Sequence, residues 1–139
     1  MAPILAQLLL PQLLKIAPLP QLRREAVLVP IPLARKRERE RGFNQSQDIA
    51  LHLSHLTDIP IIPVLARQRA TWTQSHLPPD LRSRNMNQAF IATVALPSTC
   101  KVCLLIDDVT TTGATLNAAA AVFKLRPSQA VWGCTIARG

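Results

Sequence analysis

The feature that most constrains the fold of this chain is a strand, a polar turn and a helix that follow one another closely. The continuous apolar run 102–106 has the length of a buried strand, and the polar segment 107–115 follows it. An alanine-rich stretch from about Thr115 to Leu125 then predicts a helix that Pro127 ends, and Val131 to Ile136 predicts another strand. A strand, a helix and a strand in this order form a βαβ unit, whose strands lie parallel. We therefore expect an α/β protein with an open, mostly parallel twisted sheet and flanking helices.

The N-terminal part of the chain predicts a helix and a buried strand. Residues 4–16 fit an amphipathic helix that Pro11 kinks or breaks, and residues 18–20 fit a proline-punctuated turn. The apolar run 26–29 is closed by two prolines, which suits a buried strand that ends in a loop.

The middle of the chain predicts a capped helix, two short strands and a long loop. Asn44 is a suitable N-cap, and three apolar residues recur at helical spacing after it: Ile49, Leu53 and Leu56. Residues 61–65 and 89–94 fit short strands. The polar segment 67–88 has no sustained period and predicts a long loop, and loops of that length in compact domains are usually functional.

Length and composition exclude several classes of protein. A chain of 139 residues, 48% apolar and 17% charged, fits one globular domain and argues against wholesale disorder. We expect residues 1–25 to form a helix and connector and residues 27–139 to form the core of that domain. The four glycines are too far apart for GxGxxG, for the Walker phosphate loop or for a GxSxG nucleophile elbow.

The cysteines and the first residues indicate a cytoplasmic protein. Three cysteines are too few for a disulfide scaffold and point to a reducing compartment. Cys100 and Cys103 have the spacing of a zinc half-site or a redox pair, but no second CxxC completes a zinc site, so we interpret them as strand residues. The first 14 residues are uncharged, too short to span a bilayer and without the positive segment that begins a signal peptide.

The turn after residue 106 carries the residues best suited to chemistry. In an open parallel sheet, ligands bind beyond the carboxyl ends of the strands, where Asp107 and Asp108 are expected. Two adjacent carboxylates can accept hydrogen bonds from the neighbouring hydroxyls of a ribose. Segment 111–115 then leads into a helix, whose N-terminal N–H groups can bind a phosphate. The alternative is purely structural, because Asp and Thr also cap helices.

The same turn carries a resemblance to a known family. Segment 104–115, LLIDDVTTTGAT, resembles the phosphoribosyl pyrophosphate (PRPP) motif of type I phosphoribosyltransferases. Further segments, in the same order, resemble the competence-associated ComF/GntX-like branch of that superfamily: VPIPL at 29–33, RGFNQ at 41–45, QSHL at 74–77, Arg82, Asn85 and AF at 89–90. The resemblance covers about residues 27–139.

This resemblance implies a fold, a reaction and a set of site residues. It implies the type I phosphoribosyltransferase fold and the transfer of a phosphoribosyl group from PRPP to a nitrogen acceptor, with release of pyrophosphate. Mg²⁺ is bound through PRPP in such a site. Asp107 and Asp108 would bind the ribose hydroxyls and serve as the catalytic residues. The 5′-phosphate would bind the residues that follow: Thr111, Thr112, Gly113, Ala114 and Thr115.

The resemblance also assigns the remaining parts of the site and shows two departures. The loop after Val29 would approach the pyrophosphate together with Arg41, and segment 67–88 would correspond to the flexible loop over the site. Members often carry an N-terminal four-cysteine zinc module and a tyrosine-containing basic segment. This chain contains no residues for such a module and no tyrosine.

The basic run 35–41 leaves a second function open. Its five bases and two acids fit a solvated surface, a pyrophosphate-binding surface or a nucleic-acid-binding surface. The net charge of +8 permits the last, although only five aromatic residues are present for base stacking. Because the resemblance implies an association with competence, the alternative to an enzyme is a non-catalytic competence protein that binds PRPP, DNA or a competence helicase. The sequence leaves the acceptor and the oligomeric state open, a homodimer included.

Overall fold

The computed structural model describes residues 1–33, 35–67, 89–110, 112–123 and 125–138. The helices in these ranges are α1 (Ala2–Ile16), α2 (Leu19–Glu25), α3 (Arg35–Arg41), α4 (Gln45–Thr57) and α5 (Ala114–Ala120). The strands are β1 (Ala26–Pro30), β2 (Leu65–Arg67), β3 (Phe90–Ala92), β4 (Val102–Thr110) and β5 (Ala130–Arg138).

A three-stranded parallel sheet forms the centre of the structure. Its order is β1-β4-β5, and β4 pairs in parallel with both neighbours. Leu104 lies opposite Leu28 on one side and Trp132 on the other, which fixes the register of the sheet. Since β4, α5 and β5 follow one another along the chain, they form the βαβ unit that the sequence predicts. The expected open α/β fold is confirmed.

Helices and a small second sheet cover the two faces of this parallel sheet. One face packs against α1 and α4, with a cluster of fully buried aliphatic residues between them: Leu9, Leu13, Leu28, Ile49, Leu53, Leu104 and Ile106. The other face packs against α5 and the antiparallel pair β2-β3, through a second buried cluster: Val27, Val29, Val64, Phe90, Leu105 and Ala119. Burying an aliphatic side chain of this size stabilises a fold by about 1.5–3 kcal/mol. The two clusters therefore hold the central strand β4 in place from both sides.

Two predictions for the N-terminal part were wrong in detail. Helix α1 continues through Pro11, so of the two predicted alternatives, a kink or a break, the break is wrong. Residues 19–25, expected to follow a simple turn, form the short helix α2. Pro20 suits its first turn, where the N–H that proline lacks would have no partner in the helix. Among the described residues no single helix is long and apolar enough to cross a membrane, although the bent pair α1 and α2, which meet at 89°, passes that test by length and composition.

The predicted cap of α4 is confirmed, and its apolar face needs one correction. Asn44 Oδ1 accepts a hydrogen bond from Ser46 N at 3.1 Å, which is the geometry of an N-cap. Ile49 and Leu53 are buried as expected, whereas Leu56 is 47% exposed. Leu56 lies in the last turn of the helix, and Thr57 is the buried residue there.

The remaining strands and the last helix differ from prediction in their ends. Segment 61–65 has one parallel bridge, from Ile61 to Leu28, before β2 begins, and the predicted strand 89–94 is the three-residue β3. Strand β5 extends beyond the predicted 131–136 at both ends. Helix α5 ends at Ala120, five residues before the predicted end, because tighter turns replace the helical hydrogen bonds there. Apart from Arg67, the predicted long loop 67–88 lies outside the described residues.

Candidate functional site

The two acidic residues lie where the central strand outruns one of its neighbours. Strand β1 stops at Pro30, opposite Ile106, so Asp107 is the first residue of β4 beyond that ladder. Strand β4 itself continues along β5 as far as Thr110. The prediction that β4 ends at Ile106 was therefore wrong, because pairing with β5 carries the strand four residues further. The acidic pair is part of the strand, at its carboxyl-terminal half.

The Asp107 carboxylate is partly buried and held by two donors. Its Oδ1 atom accepts hydrogen bonds from Ser46 Oγ at 3.1 Å and from Asp108 N at 2.9 Å. Burial raises the pKa of Asp107 to about 6, and the neighbouring Asp108 carboxylate adds to the rise, while the backbone N–H of Asp108 and the Ser46 hydroxyl oppose it. A carboxyl with a pKa near 6 is mostly ionised at neutral pH, so Asp107 can act as a hydrogen-bond acceptor.

The Asp108 carboxylate has a similar local arrangement. Its Oδ1 atom accepts a hydrogen bond from Val109 N at 2.8 Å, and the residue is half-buried. In the described part of the chain no hydrogen bond reaches the Oδ2 atom of Asp107 or of Asp108. Each carboxylate is thus oriented through its Oδ1 atom.

The segment after β4 forms a tight entry into α5. Gly113 has a φ of +80°, a left-handed conformation that glycine adopts without strain. Ala114 N, at the start of α5, donates to Thr112 Oγ1 at 3.3 Å. Thr115 follows in the first turn of the helix, whereas Thr111 lies outside the described residues. The chain therefore brings the acidic pair and the four described residues of the predicted phosphate loop onto one strand, turn and helix.

A cavity of about 380 Å³ lies beside this turn, between α5 and the last two strands. Its polar lining residues include Thr110, Thr112, Asn117 and Thr135. Asp107 and Asp108 are not among the residues that line it. The cavity consequently offers hydroxyl and amide groups beside the predicted phosphate loop, and the acidic pair does not line it.

The loop that leaves β1 is fixed close to the same edge of the sheet. Ile31 N donates to Ile106 O at 2.9 Å, and Ile31 O accepts from Asn44 Nδ2 at 3.2 Å. Arg67 Nε donates to Pro32 O at 2.8 Å, while its guanidinium lies 4.8 Å from the centre of the Phe90 ring. This is the loop predicted to approach pyrophosphate, and its backbone is held by donors from β2 and from the residue that caps α4.

The basic run forms helix α3, which the sequence did not predict. Glu38, Arg39, Glu40 and Arg41 are exposed along it. In the described structure no hydrogen bond or ion pair joins Arg41 to Asp107 or Asp108. The structure therefore places the acidic pair and the predicted phosphate loop on one strand, turn and helix, and does not connect Arg41 to the acidic pair.

The cysteines are buried thiols in the parallel sheet or directly before it. Cys103 in β4 and Cys134 in β5 are strand residues, whereas Cys100, also expected in a strand, lies in the turn before β4. Burial raises the pKa of the Cys103 thiol to about 12 and that of Cys134 to about 11. Thiols with such pKa values are poor nucleophiles and poor metal ligands at neutral pH. Among the described residues no three His, Cys, Asp or Glu side chains are grouped to hold a metal ion.

Two residues near the site were not identified from the sequence. Ser46 contacts Asp107 across 61 positions of the chain, and Arg67 contacts Pro32 across 35 positions. For Ser46 the only available signal was its place two residues after a predicted N-cap. For Arg67 there was none, because its partners depend on how β2 packs against the parallel sheet.

The fold and the site together define an open parallel α/β protein whose candidate site lies at the carboxyl ends of its strands. No family model matches the chain. Competence protein F of Haemophilus influenzae is 35% identical over 99 residues, which are 70% of this chain and 43% of that protein. DNA utilization protein YhgH of Salmonella typhimurium is 37% identical over 116 residues, 83% of this chain and 50% of that protein. Competence protein ComFC of Bacillus subtilis is 35% identical over 94 residues, 68% of this chain and 36% of that protein.

These relatives identify the family. The chain belongs to the ComF-like family, as the sequence resemblance predicted. It spans half or less of the length of each of these three relatives.

Proposed function

We propose that this protein binds PRPP and that Asp107 and Asp108 hold its ribose. The observation that carries the proposal is the pair of adjacent carboxylates, each oriented through one oxygen, on the strand that leads into the Thr112–Thr115 entry of α5. Carboxylate oxygens accept charge-assisted hydrogen bonds from the two ribose hydroxyls. Backbone N–H groups at the start of α5, with the Thr112 and Thr115 hydroxyls, are suited to the 5′-phosphate. The ribose is thus assigned to the acidic pair, and the 5′-phosphate to the turn that follows it in the chain.

The reaction proposed for this site is the transfer of the phosphoribosyl group to a nitrogen acceptor. The nitrogen lone pair forms a bond to the anomeric carbon while the bond from that carbon to the pyrophosphate oxygen breaks, and its electron pair leaves with pyrophosphate. The acidic pair orients the ribose for this attack, and its negative charge favours the positive charge that develops on the ring. The family resemblance assigns the loop after β1 to the leaving pyrophosphate.

Magnesium belongs to this proposal as part of the substrate complex. The acidic pair adds negative charge beside the ribose, so its chemistry is compatible with a ligand that carries a divalent cation. When bound, Mg²⁺ would neutralise charge on the departing pyrophosphate. We assign no protein ligand to it.

A second candidate function is that of a non-catalytic accessory protein in DNA uptake. For either function we propose a cytoplasmic location. Three observations favour it: the relatives are named competence and DNA utilization proteins, the net charge is +8, and α3 is rich in arginine. Non-specific binding to DNA is dominated by contacts between cationic side chains and phosphates. In this alternative PRPP binding is a regulatory or vestigial trait, and DNA or a DNA-uptake helicase is the working partner.

Calorimetry with PRPP in the presence and absence of Mg²⁺ tests the proposed site. The double variant Asp107→Asn and Asp108→Asn is expected to lose measurable binding, because each amide replaces a charged acceptor. Hydrogen bonds to charged groups contribute about 1.5–3 kcal/mol each. The matched control is Asp58→Asn, which changes an exposed carboxylate at the other end of α4.

Circular dichroism of both variants separates a loss of binding from a loss of folding. Both are expected to fold, because Asp107 and Asp108 are only partly buried. Undiminished PRPP affinity in a folded double variant would rule out this site. Equal losses in the double variant and in Asp58→Asn would do the same.

A further inference from the structure

A chain of hydrogen bonds joins the acidic pair to the start of α4 and to the loop after β1. Ser46 Oγ donates to Asp107 Oδ1 at 3.1 Å, and Ser46 N donates to Asn44 Oδ1 at the same distance. Asn44 Nδ2 in turn donates to Ile31 O at 3.2 Å. Three segments that are distant in sequence are therefore tied together at one edge of the sheet.

Helix formation alone does not explain a serine at position 46. Asn44 already caps α4, so the helix needs no second capping side chain. Serine has a lower helix propensity than alanine and is most favourable at the cap itself. Ser46 is nevertheless 4% exposed, and its hydroxyl is directed at a carboxylate 61 positions away. Its contact with Asp107 is the interaction that accounts for the hydroxyl.

This contact restricts the orientation of the Asp107 side chain. The two donors on Oδ1, Ser46 Oγ and Asp108 N, come from different elements and together fix the plane of the carboxylate. The Oδ2 atom is left without a hydrogen bond in the described structure. The start of α4 also places the positive end of a 13-residue helix beside this carboxylate, which favours its ionised form.

We propose that Ser46 is a positioning residue that orients the Asp107 carboxylate toward the ribose hydroxyls of PRPP and links it, through Asn44, to the loop after β1. The proposal rests on the proposed function for its ligand. It adds a residue from α4 to a site otherwise built from β4 and α5. Ligand binding at Asp107 would consequently be sensitive to the position of the α4 N-terminus.

The test compares Ser46→Ala with Ser46→Thr and with a control on the same helix. Ser54→Ala is the matched control, because Ser54 Oγ donates to Ile59 O at 2.7 Å near the other end of α4. Ser46→Thr keeps a hydroxyl at position 46. For each protein, Mg²⁺-PRPP affinity is measured by calorimetry, and the Asp107 carboxyl is titrated by ¹³C NMR without ligand.

Loss of the Ser46 hydroxyl is expected to change both measurements. Ser46→Ala should bind Mg²⁺-PRPP about tenfold more weakly. In this variant the Asp107 carboxyl should also titrate at higher pH, because a hydrogen bond to its ionised form is lost. Ser46→Thr should restore most of the affinity, and Ser54→Ala should match the wild type in both measurements. Asp108 is the other charged group that faces Asp107 in the described structure, and all of these variants keep it.

The possible failures point to different parts of the account. Wild-type affinity in a folded Ser46→Ala variant, with an unchanged Asp107 titration, would overturn the role of Ser46 and leave the PRPP site intact. Equal weakening in Ser46→Ala and Ser46→Thr would overturn it as well, since the hydroxyl would then be irrelevant. Absence of PRPP binding in the wild type would instead refute the proposed function, and with it the ligand that Ser46 is proposed to serve.

Discussion

Replacing Asp107 with asparagine should stabilise the fold at neutral pH while weakening the proposed site. Asparagine has nearly the same shape, and its Oδ1 can still accept from Ser46 Oγ and Asp108 N. What the substitution removes is a partly buried negative charge beside a second carboxylate. The wild type therefore carries an electrostatic cost at this position that the variant lacks.

The size of this effect follows from the pKa of Asp107. Burial raises it from 3.8 to about 6, so the folded state binds a proton more tightly than the unfolded state. The corresponding upper limit is about 3 kcal/mol. Since part of the side chain faces solvent, we expect Asp107→Asn to raise the free energy of unfolding by about 1–2 kcal/mol at pH 7.5.

The size of the effect depends on pH in a distinct way. Below the unfolded-state pKa, Asp107 is protonated in both states, and the wild type should be as stable as the variant. The favourable contribution of the proton is lost as pH rises through about 6. The stability difference between variant and wild type should thus grow from near zero at about pH 3 to its full value above about pH 7.

Urea denaturation followed by circular dichroism at several pH values measures this difference directly. Taking the difference between the two proteins cancels the titration of all other groups. A variant less stable than the wild type at pH 7.5, or a stability difference that does not vary between pH 4 and 7, would refute the reasoning.

Three further predictions concern the cap, the basic helix and turnover. Asn44→Ala should lower the free energy of unfolding by about 1–2 kcal/mol, because both the α4 cap and the bond to Ile31 O are lost; thermal melts would measure this. Charge reversal at Arg35, Lys36 and Arg37 should weaken DNA binding and flatten its salt dependence by about one unit of slope per lost phosphate contact, with PRPP affinity kept within a few-fold. The reverse outcome in the same titrations would assign these residues to the pyrophosphate site. A pyrophosphate-release assay should show slow or absent transfer to free nucleobases, because attack needs the reacting atoms held within about 3–3.5 Å; rapid, base-dependent release would contradict this.

The parts of the fold that depend on local pattern could be predicted from the sequence. The run 102–106 and the segments after it specified the βαβ unit, and Asn44 specified the start of α4. The ends of elements were less predictable. Strand β4, for example, ends where its pairing with β5 ends, and that pairing is not visible in the local sequence. Helices α2 and α3 escaped prediction, since a proline-rich segment and a charged segment give no apolar period.

The residues of the candidate site likewise fall into a group that the sequence predicts and a group that it does not. Asp107, Asp108 and the loop 112–115 are adjacent in the chain, so the sequence could present them as one candidate. Ser46 and Arg67 reach their partners only after the sheet has formed and the elements have packed. Contacts of that kind depend on tertiary structure, and no local pattern encodes them.

A crystal structure of the protein with Mg²⁺-PRPP would test the central claim most directly. We expect the 5′-phosphate on the backbone N–H groups of residues 112–115 and the ribose hydroxyls on the Asp107 and Asp108 carboxylates. We also expect the hydrogen bond from Ser46 to Asp107 to be retained in the complex. PRPP bound elsewhere on the chain, with these two carboxylates free of ligand, would contradict it.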